Sequence, residues 1–468
     1  MPSETQVLVL GGGPGGYAAA FAAADLGLAV TLVDDAPNPG GVCLYRGCIP
    51  SKTLLHVARL LREAEEAREY GIAFGKPRID LGKLRDHKQD VVQKLTGGLG
   101  QLARQRKITY VQGRGRFIDA HTLAVRKADG SEADVPFGNA IIATGSLPRS
   151  LDVLTGFEDL VWDSTAALEL REVPKRLLVV GGGYIGVELA SVYLALGSEV
   201  TLVEVTPGLL PGADPDLVRP LLQRLRGGAR LLFETSVVAL ERQGDGLLAT
   251  LRGKDGKEES FSCDRLLASV GRAPQTAGIG LEAIGLRPDR QGFLPVDAQR
   301  RTRLGHIYAI GDIAGQPMLA HKASYEGRIA AEAIAGLPSA YDPRAIPAVV
   351  FTDPEIAWTG LSEQEATAQG IEVQVGRFPW AASGRAASMG RADGLTKIIA
   401  ERATGRVIGV GISGPGAGEL IAEGTLAIEM GAVAEDVART IHPHPTLSET
   451  IMEAAEGVLG HATHYYGR

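Results

Sequence analysis

The stretch Val7-Leu8-Val9-Leu10-Gly11-Gly12-Gly13-Pro14-Gly15-Gly16 decides how the chain is read. Four apolar residues run into a GxGxxG turn at Gly11, Gly13 and Gly16. An Ala-rich helical segment over 17–26 follows, and a second apolar run over 29–33 ends in Asp34. The pattern recurs downstream: Leu177-Leu178-Val179-Val180 leads into Gly181, Gly183 and Gly186, a helix through Leu196, a strand over 200–203, then Glu204. A lone GxGxxG is weak, because glycine clusters also make plain loops. Here each copy follows a strand, opens a helix and meets an acid about 20 residues on, which is the full dinucleotide-binding pattern. Glycines let backbone N–H groups and the helix start approach a pyrophosphate, and the acid suits a ribose 2′-hydroxyl. Two copies imply two dinucleotides, or one redox relay between them. Glu204 would repel a 2′-phosphate, and no Lys or Arg follows it until Arg219, which favours NAD over NADP in the second site.

Working outward, residues 54–70 and 82–107 read as helices with charged faces. Residues 108–135 read as short strands, and 139–145 as a buried strand ending in a turn. Residues 266–271 and 307–312 read as further strands, the latter closing on Gly311-Asp312. From about residue 346 the pattern changes to strands and helices without a nucleotide signature, a separate α+β module. The expected fold is α/β: two Rossmann-like dinucleotide-binding domains plus a C-terminal α+β domain.

Composition agrees with an ordinary globular protein. The 468 residues suffice for about three domains. Hydrophobic residues make up 45% and charged residues 22%. The net charge of -7, with no dense Lys/Arg block, disfavours a nucleic-acid partner. Gly, at 61 residues, is well above its usual share of about 7%, with much of the excess in turns that can approach phosphates. Residues 1–6 are polar and lead straight into a strand, with no signal peptide, and no run of about 20 apolar residues is present to span a membrane. Three cysteines do not make a secreted disulfide framework, so the expected compartment is the cytoplasm, where a disulfide is more often catalytic than structural.

Cys43 and Cys48, separated by four residues, lie just downstream of the first glycine turn, in Gly40-Gly41-Val42-Cys43-Leu44-Tyr45-Arg46-Gly47-Cys48-Ile49-Pro50-Ser51-Lys52. A dithiol beside a nucleotide cofactor suits two-electron chemistry, because it stores the same two electrons as a hydride. In a regular α-helix, residues five apart have Cα atoms about 8–9 Å apart, whereas a disulfide tolerates roughly 7 Å. A bridged pair therefore requires a bend, expected at Gly47, with regular helix only after Pro50. Inert thiols are the alternative. Zinc is disfavoured by the absence of CxxC and of a companion pair, and no metal site is expected. Cys263 reads as a buried small residue.

Near the C-terminus, Ile441-His442-Pro443-His444-Pro445-Thr446-Leu447-Ser448-Glu449 precedes a helical run to Val458. Pro445 suits the first turn of that helix, and Glu449 one turn later could hold an imidazole at the helix start. A histidine fixed by a carboxylate can take a proton from a thiol near neutral pH. The alternative is a Pro-rich surface loop with solvated imidazoles.

Together these segments resemble the flavin- and NAD-dependent disulfide oxidoreductases, and among them the branch that oxidises dihydrolipoyl groups. The resemblance covers essentially the whole chain. It rests on GGxCLxxGCIPSK at Gly40 to Lys52, ATG at Ala143 to Gly145, GGGYIGxEL at Gly181 to Leu189 and VGRxP at Val270 to Pro274. It rests further on YAIGD at Tyr308 to Asp312, LAHKA at Leu319 to Ala323, and HPTLSE at His444 to Glu449.

The resemblance implies FAD on the first turn, held by Gly11, Gly13, Gly16, Asp34, Lys52, Thr144, Gly145, Asp312 and Ala320. It implies NAD on the second, held by Gly181, Gly183, Tyr184, Gly186, Glu188, Glu204 and Gly271, with Glu188 also paired to Lys52. It implies a Cys43–Cys48 redox disulfide in which Cys48 contacts the flavin and Cys43 exchanges with substrate. His444, held by Glu449, is the implied base, in a homodimer where it reaches the cysteines of the other subunit. The implied division is 1–148 for FAD, 149–273 for NAD, 274–345 for the second part of the FAD domain, and 346–468 for dimerisation. The implied partner is a lipoyl-bearing acyltransferase or lipoyl carrier protein of a multienzyme complex.

Three departures stand out. Tyr45-Arg46 replace a usual Asn-Val, Asp34 a usual Glu, and Gln275-Thr276 a usual Asn. Rival readings are a glutathione- or mercuric-type reductase, opposed by Glu204 and by the lack of a C-terminal cysteine pair. A flavin-dependent transhydrogenase would not need Cys43, and a non-catalytic flavin scaffold would need neither cysteine nor His444.

Overall fold

A computed structural model describes residues 5–466; of the polar lead at 1–6, residues 1–4 lie outside the described residues. The two glycine-turn units fold alike. In the first, the parallel sheet runs Ile307–Ala309, Asn139–Ile142, Val7–Leu10, Val30–Asp34, Thr109–Gln112. In the second it runs Ala229–Leu232, Glu199–Val203, Arg176–Val180, Arg265–Ala268, Val161–Trp162. Their central strands are buried on both faces, which is why they read as continuous apolar runs rather than alternating ones. Each unit also carries a three-stranded antiparallel sheet, over 114–136 and 235–263. A short ribbon pairing Ser146–Pro148 with Arg272–Pro274 joins the two units.

The glycine turns are forced by close approach. A Cβ on Gly11 would lie 2.3 Å from the Ala143 carbonyl oxygen, and one on Gly181 2.4 Å from that of Ser269. Both residues also need positive φ, at 105° and 110°. The first helix, Pro14–Asp25, starts three residues earlier than expected, because Pro14 occupies the first helical position, where its missing N–H is not needed.

Residues beyond the second unit return to the first. The helix Ala320–Ile334 packs so closely along Pro14–Asp25 that a Cβ on Gly327 would sit 2.5 Å from the Gly15 carbonyl oxygen. The C-terminal part is an antiparallel sheet ordered Ala348–Val350, Ile356–Gly360, Val407–Ser413, Leu395–Glu401, Val373–Pro379, with the helices Ala417–Met430 and Glu449–Val458 packed on it. Among the described residues, no helix is long and apolar enough to cross a membrane.

Candidate active site

The redox segment forms two helices, Gly41–Arg46 and Cys48–Glu66, broken at Gly47 (φ -140°, ψ -108°). The bend falls where the disulfide geometry demanded it. The second helix, however, begins at Cys48 rather than after Pro50. Pro50 is its third residue, where no intrahelical hydrogen bond is lost, so the proline is tolerated in the helix rather than preceding it. Cys43 and Cys48 are half-buried free thiols. The Cys48 thiol is drawn down to about 7, first by the hydrogen bond from Cys43 and also by the charge of Lys52, against burial and the Glu188 carboxylate. The Cys43 thiol is pushed up, first by that same hydrogen bond and then by burial. Of the two thiols, Cys48 is the one whose surroundings favour the thiolate. Cys263 is buried and its thiol is pushed up to about 12, first by burial, an inert small side chain as expected.

Lys52 lies one turn into the same helix as Cys48. Its Nζ donates to both oxygens of Glu188, at 2.8 and 3.0 Å, and Glu188 is buried on the helix Tyr184–Leu196. The backbone N–H of Phe351, from the C-terminal part, donates to Glu188 Oε1 at 3.0 Å.

The two nucleotide turns share one hydrogen-bond pattern. Asp34 accepts from the N–H groups of Gly12 (2.5 Å) and Ala36 (2.9 Å), and Glu204 from those of Gly182 (2.6 Å) and Thr206 (2.7 Å). Burial pushes the Asp34 carboxyl up, with the two N–H donors opposing it. Each acid is thereby fixed at the rim of its turn. The N–H groups of Gly15 and Gly16, and of Tyr184, Ile185 and Gly186, open their helices and have no acceptor within them. A Cβ on Gly183 would meet nothing within 4 Å, and one on Gly13 only the Gly41 Cα at 3.9 Å. Open space, free donors and a fixed acid at each turn fit a dinucleotide twice over. Tyr184 is partly exposed, and Gly271 (φ 103°) ends the loop after the strand Arg265–Ala268. Thr144 donates to the Gln275 carbonyl at 2.7 Å. Gly145 takes positive φ with free space around it, and Ala320 opens its helix.

Several supporting residues escaped sequence reasoning. Ser146 donates to Asp312 Oδ2 at 2.5 Å, and Arg272 donates to Ser146 Oγ at 2.7 Å. Fully buried Glu326 accepts from the Gly311 N–H at 2.6 Å, fixing the turn that presents Asp312. Only Arg272 had a signal, its place in VGRxP; nothing in the sequence pairs Ser146 or Glu326 with their partners.

The C-terminal histidine is held by its acid. His444 Nδ1 lies 2.8 Å from Glu449 Oε1, and the Thr446 N–H donates to Glu449 Oε2 at 2.7 Å. Burial opposes ionisation of Glu449, but Thr446 and His444 hold its carboxyl below the usual range. The helix starts at Glu449, so Pro445 lies upstream in a turn rather than in the first helical turn. Thr446, Leu447 and Ser448 intervene because the chain turns there through side-chain hydrogen bonds, Thr446 Oγ1 donating to the Pro443 carbonyl. His444 is well exposed, and among the described residues its hydrogen bonds and those of Glu449 run to each other and to Thr446, none to the cysteines.

Residues 5–327 match the pyridine nucleotide-disulphide oxidoreductase family, and residues 346–455 match its dimerisation domain. The chain is 48% identical to a dihydrolipoyl dehydrogenase of Haemophilus influenzae, over 98% of this chain and 96% of that protein. It is equally similar, at 48%, to a dihydrolipoyl dehydrogenase of Vibrio cholerae, over 98% and 97%. In structure it resembles LpdA from Mycobacterium tuberculosis, with a TM-score of 0.89 at 31% identity, covering 97% of this chain and 99% of that one.

Proposed function

The chain belongs to the pyridine nucleotide-disulphide oxidoreductase family, and on that premise we propose that it is a dihydrolipoyl dehydrogenase using FAD and NAD. The observation that carries the reading is the break at Gly47 that sets Cys43 and Cys48 on successive helices beside the first glycine turn, and a carboxylate-held imidazole at His444 supplies the base. In this reading Glu449 occupies Nδ1 of His444, which leaves Nε2 to take a proton from the substrate dithiol. The substrate thiolate attacks the Cys43 sulfur of a Cys43–Cys48 disulfide, and the S–S bond breaks toward Cys48, which leaves as the thiolate its surroundings favour. The second substrate thiol then displaces Cys43, closing the lipoyl disulfide. The chain gains two electrons as Cys43 thiol and Cys48 thiolate, with the remaining proton on His444. FAD, when bound, would take those two electrons from the thiols and supply NAD with a hydride. Asp34, the first glycine turn and Asp312 would hold FAD, and the second turn with Glu204 would hold NAD.

Because His444 and Glu449 make no contact with the chain's own cysteines, the working unit in this reading is a homodimer whose histidine serves the other subunit. The matched dimerisation domain supports it. The division at residues 148, 273 and 345, a cytoplasmic setting, and a lipoyl-bearing partner of a multienzyme complex belong to the same proposal. The test is NAD-dependent oxidation of dihydrolipoamide by the wild type and by Cys43→Ser: turnover that survives the substitution refutes the dithiol route. Heterodimers formed by mixing Cys48→Ser with His444→Ala subunits should regain up to about half their sites; no recovery after proven subunit exchange refutes the shared site.

A further inference from the structure

The Lys52 ammonium has two anchors, and only one is a carboxylate. On one side lies Glu188, at 2.8 Å. On the other, the Phe351 ring lies beneath Nζ, 4.6 Å from ammonium to ring centroid, inside the range where the ring face attracts a cation. The same Phe351 donates its backbone N–H to Glu188. One residue of the C-terminal part therefore touches both halves of an ion pair formed between the redox helix and the second nucleotide unit. Lys52 is about one-third exposed, so water competes for its charge, and the ring covers part of that approach.

We propose that Phe351 is a positioning residue for the thiol centre: its ring fixes the Lys52 ammonium where its field reaches Cys48. Without the ring face, water reaches the ammonium on the side away from Glu188 and screens its charge from the sulfur. The groups facing Cys48 are Cys43 on the preceding helix, Lys52 on its own, and Glu188 on the helix of the second unit. Tyr184 on that same helix and Tyr17 on the first helix complete the set. Phe351 carries no titratable group, so it acts through Lys52. The inference rests on the dithiol reading, but its readout is the titration of one sulfur rather than turnover, so the two can fail separately.

The experiment uses the FAD-loaded full chain carrying Cys43→Ser, in which Cys48 is the remaining thiol of the pair. Its ionisation is followed against pH by the rate of iodoacetamide alkylation and by thiolate-to-flavin charge-transfer absorbance. Phe351→Leu, which keeps the backbone N–H and the apolar cover, is expected to raise the Cys48 midpoint by roughly half to one pH unit. Phe351→Tyr, which keeps the ring face, is expected to stay within about 0.2 unit of the parent. Added to Lys52→Met, Phe351→Leu should produce no further shift. A midpoint unmoved by Phe351→Leu, a Tyr variant that behaves like Leu, or a full shift persisting without Lys52 each overturns the proposal.

Discussion

Lys397 offers the sharpest test of how the second nucleotide unit is joined to the C-terminal part. Its side chain is fully buried, and its Nζ lies 2.7 Å from Asp214 Oδ2, 2.7 Å from Asp216 Oδ1 and 2.8 Å from Glu363 Oε1. Arg377 pairs with Asp216 at 2.9 Å and with Glu363. Three carboxylates thus share two cations. At an effective dielectric near 20, each 2.7 Å pair is worth about 6 kcal/mol of attraction, most of it cancelled by desolvation. Asp214, Asp216 and Glu363 hold the Lys397 ammonium above its ordinary pKa even though burial alone would lower it. Lys397→Met leaves three carboxylates facing one arginine, and stranding buried charge of this kind costs about 3–5 kcal/mol. The variant should lose that much in urea unfolding followed by tryptophan fluorescence, Trp358 lying two strands away in the same sheet. The deficit also has a pH signature. In the wild type the Asp216 carboxyl is held low, by Lys397 and Arg377 against burial, so its stabilisation is present above its unfolded pKa and lost as pH falls through the lower folded value. In the variant the crowded carboxylates repel and take up protons more readily, so the gap to wild type should narrow from pH 8 to pH 5. A loss under about 1 kcal/mol, or one equal at both pH values, refutes the account.

Three further outcomes are expected. Glu449→Gln should lower kcat/KM for dihydrolipoamide by about 100-fold with FAD content unchanged, since it removes the charge that holds the His444 imidazole; equal activity would show the pair to be ornamental. Glu204→Ser combined with Val205→Arg should shift the NADP-to-NAD ratio of kcat/KM by more than about tenfold, and an unchanged ratio would remove Glu204 from the specificity argument. The His464 imidazole is raised above its ordinary value, first by its hydrogen bond to Glu453, so its hold on the tail is complete below about 6.5 and fades as pH rises through the higher folded value. Amide protection over residues 459–466, measured relative to the intrinsic exchange rate at each pH, should fall on that rise in the wild type, and pH-independent protection would contradict it.

How much was legible follows from what each signal needed. The glycine turns, their flanking strands and their acids are local, so spacing alone located Gly11, Asp34, Gly181 and Glu204. The break at Gly47 came from distance arithmetic between two sulfurs. Three misplaced helix starts concern proline, and the first is Pro14, which opens the helix expected from residue 17. The sequence pattern places Pro50 before its helix, and it stands inside; the same pattern places Pro445 at the start of its helix, and it stands outside. A missing N–H is harmless anywhere in a first turn, so proline marks the neighbourhood of a helix start without fixing it. Arg272, Ser146 and Asp312, or Lys52, Glu188 and Phe351, meet only through tertiary folding, and no periodicity in the chain reports such a meeting. Tyr45 donates to the Asn38 carbonyl and Thr276 Oγ1 to the Gly292 carbonyl at 3.3 Å, which gives both departures a structural contact; nothing in the structure explains the Gln275 side chain.

The convergence on Glu188 has a bearing on synthesis. A nascent polypeptide extended only to residue 345 already holds both cysteines and both glycine turns, yet lacks the Phe351 N–H that Glu188 accepts. The last quarter of translation therefore supplies the final contact to a centre whose sulfurs were made first. Truncated products would carry both thiols without the Phe351 contacts to Glu188 and Lys52.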